Sequence, residues 1–173
     1  MESKNYIESS PLLAKYIKEV YSCSNVGKVD LCIPFIEMGV NLLNERGTLN
    51  YLTQRRFFMS EYGNLIREKI REENLLKRIY EYHQTDLFKG KITYVAELML
   101  QKNNNNQYFE YGSTSSDETS KIPVSKLDGL WNFDKVGDSA EIVTRLSKSI
   151  GTVADLTDVK VGLQMLWKNA YHI

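Results

Sequence analysis

Residues 75–102 read LLKRIYEYHQTDLFKGKITYVAELMLQK, and how they divide decides the fold. Residues 75–82 and 92–101 are apolar runs rich in Ile, Leu, Val and Tyr, which predicts two strands. Residues 83–91, HQTDLFKGK, form the loop between them. A parallel crossover needs roughly a dozen residues or more, so this loop is too short for one and the two strands must run antiparallel. A single phenylalanine, Phe88, sits in that polar loop. A loop phenylalanine is either a packing anchor or a flat surface held out for a ligand, and the sequence leaves both readings open.

Upstream, SSPLLAKYIKEVYS predicts a helix with Ser10 as cap, Pro11 at its first position, and Leu13, Tyr16, Ile17, Val20 and Tyr21 along one face. Asp30 caps a second helix, with Pro34 tolerated in its first turn and Cys32, Phe35, Ile36, Gly39, Leu42 and Leu43 forming the stripe. Gly47 provides the left-handed stop. TLNYLT is a short strand and QRRFFMS a turn. Ser60 caps a third helix that carries Tyr62, Leu65, Ile66 and Ile70 inward. A helix joins the strand TLNYLT to the strand at 75–82, which should make these two strands parallel, with a right-handed connection.

Downstream, KNNNNQ is a low-complexity tip, YFEY a short strand, and STSSDETS a second polar stretch. A fourth helix runs from Asp138 through Ile142, Val143 and Leu146. The expected organisation is an α/β domain over 1–103, a linker with short strands over 104–137, and a small α+β segment over 138–173.

Composition narrows the function. The apolar share of 42% supports a core, and a formal net charge of zero means that any nucleic-acid contact depends on a local patch. Cys23 and Cys32 match neither a metal pair nor a disulfide framework, so a reducing cytoplasm is the expected compartment. No run is long and apolar enough to span a membrane.

Ligands of open parallel sheets bind beyond the carboxyl ends of the strands. Both segments leaving the parallel strands should therefore meet at one edge. That edge would gather Arg55, Arg56, Lys89 and Lys91 with Phe57, Phe58 and Phe88, a mixture suited to phosphate contact and base stacking. On the plainer reading, Phe57 and Phe58 anchor the third helix and the cations are merely solvated. His83 lies in the same region, but one histidine makes no metal site. GKVDLCIPF lacks the glycines of a phosphate loop, and no nucleophile triad can be read.

The stretches DLCIPFIEMGVNLLNERG, LNYLTQRRFF, SEYGNLIREKI and TDLFKGKITYVAELML, in this order, resemble the second half of the catalytic domain of gamma-class N6-adenine DNA methyltransferases. These enzymes belong to type II and IIG restriction–modification systems. The corresponding family pattern runs DLYxxFIExxLxLLKPGG, LxFITPNRFL, xxYGxxLREFL and xxVFxxATTY. The tail LTDVKVGLQMLWKNAYHI is similar to the entry into their target-recognition domain. Gln54 and Arg55 replace the Pro-Asn of the family turn, Glu97 an apolar strand residue, and Met165 a usual threonine.

The resemblance implies a partial Rossmann-like methyltransferase sheet, mixed, with an antiparallel last strand. It implies that Phe35 packs on the adenine ring of S-adenosylmethionine and that Phe88 stacks on an adenine flipped out of double-stranded DNA. The family's glycine-rich cofactor motif and NPPY tetrapeptide do not occur in this sequence, so S-adenosylmethionine would bind only in a complete parent enzyme. The expected chain is then an inactive portion of a restriction–modification enzyme with no catalytic residue and no metal. It contributes walls of the cofactor and base pockets and phosphate contacts. The alternatives are a non-catalytic DNA- or protein-binding module of a restriction complex, and an unrelated doubly wound enzyme. The family's strand order puts residues 92–101 between the other two strands, 75–82 at one edge and TLNYLT at the other. The exposed TLNYLT edge invites self-association.

Overall fold

The computed structural model describes residues 10–83, 88, 94–103, 105, 107–133, 151, 155, 157 and 158. The chain divides into two compact units, Met1–Phe133 and Asp134–Ile173. The helix expected from Asp138, the tail resembling a recognition domain apart from Thr157 and Asp158, and Lys89 and Lys91 lie outside the described residues.

Helix α1 (Pro11–Val20), α2 (Cys32–Leu42) and strand β1 (Thr48–Gln54) come first, followed by α3 (Asn64–Glu72), β2 (Leu76–Tyr82), β3 (Val95–Gln101), β4 (Tyr108–Ser113) and β5 (Ser116–Pro123). The strands make one mixed sheet in the order β1-β3-β2-β4-β5. β3 is antiparallel to both β1 and β2, so those two run parallel to each other, as the sequence predicts. β2 is not an edge, however. β4 pairs with it in parallel and β5 closes the far side antiparallel, so part of the polar STSSDETS stretch is strand.

One face of the sheet is packed. Ile79, Leu98 and Phe109 point into it, beneath Ile33, Ile36 and Val40 of α2 and Ile66 and Ile70 of α3, all 2% exposed or less. Helix α2 lies so close to β1 that a Cβ on Gly39 would fall 2.8 Å from the Leu49 side chain. The buried residues of α2 are Ile33, Pro34, Ile36, Glu37, Gly39 and Val40, so Ile36 and Gly39 of the expected stripe are inside while Phe35 and Leu42 are exposed. Glu37 is tolerated inside because Ser22 Oγ and the Cys23 N–H donate to it, both at 2.9 Å. Helix α1 buries Ile17 alone, while Tyr16 and Val20 face outward.

The helix ends also differ in part from expectation. The Asp30 carboxylate accepts the Cys32 N–H at 3.0 Å, as a cap should. Neither Ser10 nor Ser60 makes a side-chain capping bond, because Pro11 already opens α1 and a 3-10 turn, Glu61–Gly63, leads into α3. Helix α2 stops at Leu42, and the left-handed turn that follows falls on Arg46 rather than Gly47.

Candidate nucleic-acid interface

The pairing register locates the ends of the strands. Gln54 and Tyr82 both pair with Val95, so β1 and β2 finish on the same edge of the sheet. The turn Arg55–Phe58 therefore leaves at the same edge as His83. β4, parallel to β2, ends there too, with Ser113 opposite Glu81.

The turn after β1 splits by function. Phe57 and Phe58 are fully buried, with ring centroids 4.7 Å apart, and Trp131 packs 5.5 Å from Phe58. They are packing anchors, as the plainer reading had it. Arg56 faces solvent. Arg55 turns inward, its Nε 3.1 Å from Oε2 of Glu81.

Arg67 of α3 fixes this turn from behind. It is 3% exposed and donates to the carbonyls of Phe57, Ser60 (2.8 Å) and Gly129 (2.8 Å). The close approach needs Gly63, since a Cβ there would stand 2.1 Å from the Phe57 oxygen. The Gly and Arg of SEYGNLIRE are thus a clamp on the turn that presents Arg56.

Beside it, burial raises the Tyr62 phenol to about 12; the negative charge of Asp30 adds to the rise, and Arg56 opposes it. Cys32 is raised as well, chiefly by burial and then by Asp30. Asp30 caps the first turn of α2 through the Cys32 N–H. Phe35 belongs to that turn and is 53% exposed, although Ile33 and Ile36 on either side of it are at 1%. Phe88 is 45% exposed.

Sequence reading did not pick out Glu81. It is 1% exposed and contacted by Arg55 and, at 3.5 Å, by His83 Nε2. The available signal was its place on the apolar face of β2, two residues beyond Ile79. Arg67 also lines a small pocket with Arg71, Asp128 and Trp131.

An antiparallel strand inserted between two parallel ones, with helices packed on one face, defines the partial Rossmann-like sheet of the restriction–modification methyltransferases. The type IIG restriction endonuclease BpuSI has this fold, with a TM-score of 0.53 at 16% identity over 72% of this chain and 18% of that one. Residues 1–88 match the family model described as Eco57I restriction-modification methylase, and the chain belongs to that family. It is 27% identical over 151 residues to the type II restriction enzyme and methyltransferase RM.Eco57I of Escherichia coli. It is 28% identical over 131 residues to the type II methyltransferase M.BstVI of Geobacillus stearothermophilus. These matches cover 80% and 75% of this chain but only 15% and 23% of the relatives.

Proposed function

We propose that the chain forms the second half of the catalytic domain of a gamma-class, adenine-N6-specific DNA methyltransferase of a cytoplasmic restriction–modification system, and that 138–173 begins its target-recognition domain. The observation that supports this most is the common edge: the turn after β1 and the end of β2 lie at the same edge of the sheet. S-adenosylmethionine, bound in a complete enzyme, supplies the methyl group. The exposed Phe35 ring, in a helical turn whose neighbours are buried, fits a surface that stacks on the cofactor's adenine. Phe88 supplies the flat face for the flipped base. Arg56, Lys89 and Lys91 contact DNA phosphate, and Arg55 lies on the same turn, paired with Glu81. No residue of this chain takes part in the chemical step, since the sequence carries neither NPPY nor the glycine-rich motif.

Incubating the chain with duplex DNA and labelled S-adenosylmethionine tests this. Salt-dependent binding without methyl transfer is expected; transfer by the chain alone would overturn the assignment. In a complete enzyme, Phe88→Ala should lose ~1–3 kcal/mol of base stacking with the melting temperature unchanged. Early melting with normal methylation would assign Phe88 to packing.

A further inference from the structure

On the packed face, the row of side chains nearest the ligand edge runs Thr53, Ala96, Glu81, Ser113 across β1, β3, β2 and β4. Arg55 follows β1, and Glu81 lies two strands away on β2. To form its 3.1 Å contact the guanidinium must pass over β3, and the residue of β3 in that row is the small Ala96. Backbone bonds hold the Glu81 end in place. The Thr114 N–H donates to the Glu81 carbonyl at 2.9 Å, and the His83 N–H donates to Thr114 Oγ1 at 2.8 Å. The Glu81 side chain is 2% exposed, against 26% for Arg55 and 32% for His83. A carboxylate this deep is costly to ionise without a cationic partner, and the partner it draws in comes from the turn after β1.

We propose that Glu81 is a positioning residue. It holds Arg55 as an internal ion pair, withdrawing that charge from phosphate contact, and it steadies His83 beside it, so that Arg56 alone meets phosphate from the Arg55–Phe58 turn. The inference rests on the DNA reading of the edge. An arginine already neutralised by a buried carboxylate adds little to counterion release. Glu81→Gln keeps the shape and removes the charge, which frees Arg55 to reach a phosphate.

The test measures binding of the whole chain to a short duplex across a series of salt concentrations, for wild type, Arg55→Ala, Glu81→Gln and the double variant. Glu81→Gln should steepen the salt slope by about 0.9 for one added phosphate contact. Arg55→Ala should leave the slope as in wild type, and the double variant should return to it. A slope that falls by about one in Arg55→Ala would show that Arg55 already touches DNA, and an unchanged slope in Glu81→Gln would show that Glu81 withholds nothing; either overturns the proposal. Thermal unfolding of the same four proteins reads the ion pair without DNA. Arg55→Ala should lower Tm in the wild-type background and much less in Glu81→Gln, whereas additive shifts would rule the pair out. Failure of all four to bind duplex would overturn the DNA reading and this use of Arg55 with it, while the unfolding cycle still decides whether Glu81 holds Arg55.

Discussion

Gly63 and Arg67 are each unremarkable on a helix drawn from sequence. Their joint role exists only in three dimensions, where Arg67 collects the Phe57, Ser60 and Gly129 carbonyls and Gly63 leaves room for the Phe57 oxygen. The resemblance marked these residues as a motif, but the reason for the motif was not legible until the turn and helix were seen together. Gly63→Ala should therefore destabilise the protein by at least the ~1–3 kcal/mol of an overpacked core, read by chemical unfolding, even though alanine is the better helix former. An alanine variant as stable as wild type would mean that the turn is not clamped. Phe35 illustrates the opposite limit. Helical periodicity put it on the buried stripe, but α2 packs close to β1 through Gly39, and the ring faces solvent. Periodicity fixes which residues share a face; tertiary contact decides which way the face points.

Among the elements, the central antiparallel strand was legible because a short loop leaves little choice of topology. β5 was not, because much of it is Ser, Thr, Asp and Glu, and strands with polar, exposed side chains carry no apolar alternation to detect. Its presence with β4 turns β2 from an edge into an interior strand. β1 remains an edge among the described residues. Its sequence, TLNYLTQ, carries no charge and no proline, the usual guards against edge-to-edge pairing. Leu52 is 54% exposed there. The isolated chain should self-associate at micromolar concentration, and Leu52→Lys should shift its sedimentation toward the monomer. A wild-type chain that sediments as a monomer at every concentration would contradict pairing through β1.

For the whole molecule, family membership and the geometry of the edge point the same way. The chain covers most of its own length in matches to relatives of which it spans only 15% and 23%. What it contributes is best tested on the chain itself. Amide NMR spectra recorded while a short DNA duplex is added would report which backbone groups meet the ligand. The account predicts shifts at the Arg55–Phe58 turn, at His83 and Phe88, and around Thr114 at the end of β4, weakening as salt is raised. Shifts confined to α1 or to the outer strand β5, or none at low salt, would contradict the assignment of this sheet edge as the DNA interface.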